Sequence, residues 1–209
     1  MKTLQYYSTL IVTLLLLSNC SNKEQSEQSL KNSDETGHKH EMTDSKQQGK
    51  DACMNVSAED SMKYTSKQVT ITGAVEHPLT LTVDSLKRMN VETIENFKVV
   101  CQSGANMKED KTCKGVLLRT ILEKAKIIQK NHKDRNFYIV ARATDDYKAT
   151  FSWAEIFNNP TGDNVYILFE ENGQPIKAQG DMILICKNDI KTGPRHVYWL
   201  KSIEVNRVD

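Results

Sequence analysis

From Gln68 onward the chain is written in short apolar runs that alternate with polar residues and are cut by turn residues. Val69 and Ile71 alternate with Thr70 and Thr72, and after Glu76-His77-Pro78 the run Leu79-Thr80-Leu81-Thr82-Val83 alternates again. A period of two places every second side chain on one face of a sheet, which predicts two half-buried strands around a Pro-containing turn. Phe97 to Cys101, Phe137 to Ala141, Val165 to Phe169 and Ile183 to Cys186 read as further strands, the last two flanking the Asn172-Gly173 turn and the Gln174-Pro175-Ile176 segment. A final strand runs from His196 through Tyr198, Leu200, Ile203 and Val205.

Helical signals are few. Asp84 is placed to cap a short helix from Ser85, and the helix expected after Gly115 gathers Val116, Leu117, Ile121, Leu122 and Ala125 on one face. Ser152 and Glu155 form a capping box for a brief helix that Asn158-Asn159-Pro160 stops. Many strands with few helices over about 140 residues predict an α+β domain built on a substantial sheet.

The segment before this domain has a different composition. Residues 21–66 are dominated by Ser, Asn, Gln, Lys, Glu and Asp, which bury too little apolar surface to offset backbone ordering, so a polar tether is expected there. As a coil of 46 residues its ends would lie on the order of 40 Å apart. Its Gly37-His38-Lys39-His40-Glu41-Met42 stretch groups two His and a Met, a loose soft-metal set that is more often a plain solvated linker. Residues 1–20 read as a signal peptide: Lys2 precedes an apolar run from Leu10 to Leu17, well short of the roughly 20 residues that cross a bilayer. Leu17-Ser18-Asn19-Cys20 resembles a bacterial lipobox, with Asn19 where Gly, Ala or Ser is usual. Cys20 would carry the acyl chains and hold the chain on a membrane surface, leaving residues 67–209 as the folded domain.

Charge and cysteine content narrow the functions. Lys and Arg number 28 against 27 Asp and Glu, a balance without the basic excess that nucleic-acid phosphates require. An exported domain can hold disulfides, and Cys53, Cys101, Cys113 and Cys186 allow three complete pairings that spacing does not decide, a Cys101 to Cys113 bridge among them.

The order of motifs resembles the molybdopterin-binding domain of the sulfite-oxidase family. Ile71-Thr72-Gly73-Ala74-Val75, then Pro78-Leu79-Thr80-Leu81 and Asp84-Ser85-Leu86, are similar to the family's opening strands and first helix. Val100-Cys101-Gln102-Ser103-Gly104 resembles the strand end carrying the molybdenum-ligating cysteine, and Gly115-Val116-Leu117-Leu118 the Gly that opens the next helix. Asp145-Asp146-Tyr147 resembles the acidic turn, and Tyr198-Trp199-Leu200-Lys201-Ser202-Ile203-Glu204-Val205 the closing strand.

The resemblance implies a sulfite-oxidase-like fold over residues 68–207 and a molybdenum-molybdopterin cofactor. Cys101 would be the metal ligand, and Ser103, Gly104, Asp146, Tyr147, Arg195 and Lys201 would lie at the cofactor, with His196 a further cation. The chemistry implied is oxo transfer with two-electron redox, served by an envelope redox partner. Three positions depart from the pattern. Cys113 stands where the family commonly has Trp, and Gly180-Asp181-Met182-Ile183-Leu184 lacks the Pro and Arg of a Gly-x-Pro-x-Arg segment. Gln102, Ser103 and Gly104 supply no charge after the cysteine, where an anionic phosphate needs donors. Two readings therefore stand: a lipid-anchored molybdenum oxidoreductase, and a cofactor-free binding module of the same fold that recognises a partner or small ligand.

Overall fold

The computed structural model describes residues 56–104 and 110–208. The signal peptide, the His38 and His40 cluster, Cys20 and Cys53 lie outside the described residues. The described chain is mostly β, with four short helices, which is the α+β class the alternation predicts. No helix among the described residues is long and apolar enough to cross a membrane.

The first sheet holds β1 (Val69–Gly73), β2 (Leu79–Leu81), β5 (Phe137–Ala143), β6 (Lys148–Ser152) and β10 (Leu200–Arg207), in the order β2-β1-β10-β5-β6. All neighbours are antiparallel except β1 and β10, which pair in parallel from Thr70 opposite Ser202 to Gly73 opposite Val205. The second sheet runs from β3 (Glu92–Phe97) through β4 (Lys111–Leu117) to β7 (Val165–Glu171). There β7 pairs with β8 (Gln174–Pro175) at its end and with β9 (Ile183–Cys186) along Val165 to Leu168.

Alternate residues of both sheets and one face of α3 (Leu118–Ala125) meet in the main core, among them Ile71, Val116, Ile121, Ile139, Ile167 and Ile203. The opposite face of the second sheet is also buried, in a smaller core of Ile94, Phe97, Val99, Cys113, Leu168, Ile183 and Ile185. That double burial explains why Val165 to Phe169 and Ile183 to Cys186 are continuous apolar runs: consecutive residues face different cores.

The structure differs from the sequence reading at several boundaries. Leu79 to Val83 is a strand only to Leu81, because Thr82 caps α2 (Val83–Lys87) through a reciprocal box with Ser85. Gly115 and its two successors close β4 instead of opening a helix. A Cβ at Gly115 would meet the Ile167 carbonyl oxygen at 2.5 Å, so the glycine serves close strand approach. The stretch after Phe97 leaves the ladder, as described below. The last strand starts at Leu200, since Trp199 takes φ 46° and turns the chain first.

Structure also begins earlier than composition suggested. Helix α1 (Ala58–Tyr64) lies inside the stretch read as tether, started by Ser57, whose hydroxyl accepts the Asp60 N–H at 2.9 Å. It docks on the domain: Tyr64 packs 5.3 Å from the Trp199 ring, and Thr144 Oγ1 donates to the Tyr64 carbonyl. The brief helix after Ser152 forms as its capping box predicts, as α4 (Trp153–Phe157).

Candidate functional site

A cavity of about 670 Å³ opens beside the smaller core, where three segments meet. The stretch leaving β3 supplies Val99, Cys101 and Gln102, and the turn between β5 and β6 supplies Asp145 and Tyr147. Gly193, Pro194, His196 and Tyr198 come from the approach to β10.

Local hydrogen bonding sets this geometry. Buried Thr192 takes the place of a strand partner: its Oγ1 accepts the Val100 N–H at 2.8 Å and donates to the Lys98 carbonyl at 3.0 Å. The Gly193 N–H donates to the Val100 carbonyl at 2.8 Å, so the Lys98 carbonyl and both backbone groups of Val100 are bonded to Thr192 and Gly193. Gly193 permits this approach, since a Cβ there would sit 3.1 Å from the Val100 oxygen and 3.3 Å from the Cys101 Cα. On the other wall, Asp145 Oδ1 accepts the Tyr147 N–H at 3.0 Å, and Asp146 takes φ 70°, a conformation Asp tolerates better than most residues. The Tyr147 hydroxyl donates to the Pro194 carbonyl at 2.7 Å and ties the two walls together.

His196 is the most constrained group in the site. It is 7% exposed, packs edge-on to Tyr198 at 4.6 Å and to Phe97 at 6.0 Å, and neither ring nitrogen has a hydrogen-bond partner. Burial, reinforced by the Lys111 ammonium, pushes its pKa down to about 3, so the ring is neutral at physiological pH. Lys111 pairs with Glu171 at 2.6 Å, while Glu171 Oε1 is buried without a partner. Burial and the Glu171 charge raise the Tyr198 phenol above its ordinary range, keeping it protonated. The unpartnered His196 ring thus packs on Tyr198, and the Glu171 charge acts on the same phenol.

The residues implied by the resemblance are partly brought together. Cys101 and Tyr147 line the cavity; Asp146 sits at the apex of its turn while its neighbour Asp145 lines the wall instead, and Ser103 and Gly104 do not line it but follow Cys101 in an exposed turn in which the Gly104 N–H donates to the Cys101 carbonyl. Arg195 is turned toward α4. Its Nε donates to Asp189 Oδ2 at 2.7 Å, Nη2 to Asp189 Oδ1 and Nη1 to Glu155 Oε1 at 2.9 Å, with the guanidinium over Phe151 at 4.4 Å. Lys201 is exposed on β10 and does not line the cavity. His196, expected as a cation, is instead held neutral. Val99, Gln102, Pro194 and Tyr198 were not expected as lining; for Tyr198 the signal was its two-residue spacing from His196, which puts both on one side of an extended chain.

Cys101 is disulfide-bonded, whereas Cys113 and Cys186 are free and buried. The Cys101 to Cys113 bridge is therefore not formed. Cys113 faces the smaller core from within β4, its thiol pushed up to about 12 by burial and the Glu171 charge.

This donor set does not fit a thiolate-bound molybdenum on an anionic pterin phosphate. The Cys101 sulfur is already bonded to sulfur, no Lys or Arg stands among the described lining residues, and Asp145 adds a negative charge. Arg195 is paired with two carboxylates, and the exposed Lys191 ammonium donates to the Gln102 carbonyl at the rim without lining the cavity. No group of three His, Cys, Asp or Glu among the described residues is placed to hold a metal ion.

Comparisons with known proteins bear on the fold. The family model described as oxidoreductase molybdopterin binding domain matches residues 55–209. Among solved structures, the crystal structure of the sulfane dehydrogenase SoxCD from Paracoccus pantotrophus is similar, with a TM-score of 0.51 at 19% identity. The similarity covers 74% of this chain and 40% of that one, so the chain spans less than half the length of that structure's chain. No curated protein matches.

Proposed function

The chain belongs to the family of oxidoreductase molybdopterin binding domains, and from that premise we propose that it is a cell-envelope binding module that uses the family's fold to hold a small organic ligand. In this reading the protein is exported, lipid-anchored through Cys20, and presents the domain at the membrane surface. The observation that carries the proposal is the oxidised state of Cys101 on a cavity wall whose described lining residues include no Lys or Arg. A sulfur committed to a disulfide offers no thiolate to a metal, and those lining residues offer a phosphate ester no ammonium or guanidinium.

The cavity suits an organic guest. Val99, Pro194, Tyr147 and Tyr198 give it apolar and aromatic walls, and Gln102, Asp145 and His196 provide a few polar groups to fix orientation. Such a mixture is typical of small-molecule sites.

Elemental analysis for molybdenum, on protein made in a host that synthesises and loads the cofactor, tests the proposal. The expected result is less than about a tenth of an equivalent of molybdenum. Near-stoichiometric molybdenum, lost on Cys101→Ser, would instead establish the oxo-transfer reading, with Cys101 reduced and bound to metal in the loaded protein.

A further inference from the structure

The sequence holds five cysteines, and the bonding states of three of them narrow the partner of Cys101 to two. Cys101 is disulfide-bonded, while Cys113 on β4 and Cys186 on β9 are free and fully buried. The sulfur joined to Cys101 therefore belongs to Cys20 or Cys53, both outside the described residues. A Cys20 that carries the lipid has its sulfur in a thioether and none to give to a disulfide, which leaves Cys53.

The path of the described chain supplies a second, independent observation. Cys53 precedes Ser57, the N-cap of α1, by four residues, a stretch that spans at most about 14 Å. Helix α1 is seated beside the cavity: Tyr64 packs 5.3 Å from the Trp199 ring and its carbonyl accepts from Thr144, and these two residues are the chain neighbours of Tyr198 and Asp145 on the cavity wall. The chain thus enters the domain at the cavity, a short span after Cys53. Cys101 itself is 3% exposed but lines that cavity, so the cavity is the route by which a solute meets the bond. The two free cysteines do not compete for it. Burial, the main cause at both, pushes the Cys113 and Cys186 thiols up to about 12 and leaves them without thiolate for exchange.

We infer that Cys53 and Cys101 form a disulfide that acts as a redox switch on the cavity. Oxidised, the bond fastens the stretch leading into α1 to the cavity wall and withholds the Cys101 sulfur from anything inside. A dithiol of the envelope opens it by thiol–disulfide exchange: the S–S bond breaks, the dithiol gives up two electrons and two protons and becomes a disulfide, and Cys53 and Cys101 are left as thiols. The cavity then gains a reactive sulfur that it lacks in the oxidised state. The inference deepens the reading of this site as one with Cys101 oxidised, and it rests on that reading and on the acylation of Cys20.

Peptide mapping by mass spectrometry tests it on the full chain, isolated from the envelope of a lipoprotein-processing bacterium with free thiols blocked by N-ethylmaleimide before lysis. Without reductant the expected map holds one linked pair, Cys53 with Cys101, which separates on reduction. Unblocked native protein treated with dithiothreitol in the absence of denaturant is expected to take iodoacetamide at Cys53 and Cys101, with at least about tenfold more label at Cys101 than in untreated protein, and none at Cys113 or Cys186. Glutathione disulfide, added after the dithiothreitol is removed, is expected to restore the linked pair. Cys53→Ser is expected to make Cys101 open to iodoacetamide with no reductant; the map of the unaltered protein decides the pairing even where that variant fails to fold. Cys101 linked to Cys20, or to a second copy of the chain, overturns the assignment and leaves the oxidised site standing, whereas an unlinked Cys101 in untreated protein overturns both. A linked pair that yields to dithiothreitol only in urea overturns the switch.

Discussion

At His196 the cost of burial is measurable, because the imidazole is neutral when folded and free to take a proton when unfolded. Its folded pKa of about 3 lies below the ordinary 6.5. Between those values the unfolded chain binds the extra proton, so stability falls as pH falls and rises with pH until about 6.5. From pH 7 to pH 5 this one group is expected to remove about 2 kcal/mol, read as a lower urea midpoint. The carboxyls of Glu155 and Asp134 are both held below their usual range. Desolvation opposes that shift at Glu155, and hydrogen bonds from Ser152 and Arg195 outweigh it; at Asp134 the main cause is Arg207. Their stabilisation is present above the unfolded carboxyl pKa of about 4 and is lost only below it, so the window from pH 5 to 7 isolates the histidine. His196→Phe should flatten the profile in that window; an equally steep profile would show that His196 is not the buried neutral group.

At the scale of elements, one threonine holds the cavity open where a strand would otherwise continue. Thr192→Val keeps the shape and removes both hydrogen bonds, leaving the Val100 N–H and Lys98 carbonyl without their partner. The expected cost is about 1–3 kcal/mol in urea unfolding. Unchanged stability would mean that the 98–101 stretch holds its place without Thr192. Such long-range contacts also mark the limit of what the sequence disclosed. Period-two alternation found β1, β2 and the body of β10, short apolar runs found β5, β7 and β9, and the Ser152 to Glu155 spacing found α4, because these signals lie within a few residues of each other. It missed β4, whose Lys111-Thr112-Cys113-Lys114 is too polar to stand out, and β6, hidden behind the acidic turn. It placed a strand at Phe97 to Cys101, which meets β3 only at Phe97, and missed the body of β3; the partner that holds Lys98 and Val100 outside β3 lies some ninety positions away at Thr192. In the site, family motifs brought forward Cys101 and Tyr147, but the commitments of Arg195 to Asp189 and Glu155 depend on folding and leave no mark on the local sequence.

For the whole molecule, the proposed anchor and the domain make separable contributions. If Cys20 carries the lipid, Cys20→Ser expressed in a lipoprotein-processing bacterium should lose incorporation of labelled palmitate and move from the membrane pellet to the soluble envelope fraction. The domain's urea midpoint should be unchanged, because its two cores draw on residues from Val69 onward. Palmitate incorporation that persists in the variant would place the anchor elsewhere. Helix α1, docked through Tyr64 on Trp199, is the first element of the described domain.

The parallel pairing of β1 with β10 has a consequence for folding. β10, which follows the other described strands in the chain, occupies the middle of the first sheet, between β1 and β5. Until it pairs, β1 and β5 each present a bare edge at the centre of the sheet. Closure of that sheet therefore waits on joining two stretches far apart in the chain, a topology that slows folding relative to one built from local hairpins.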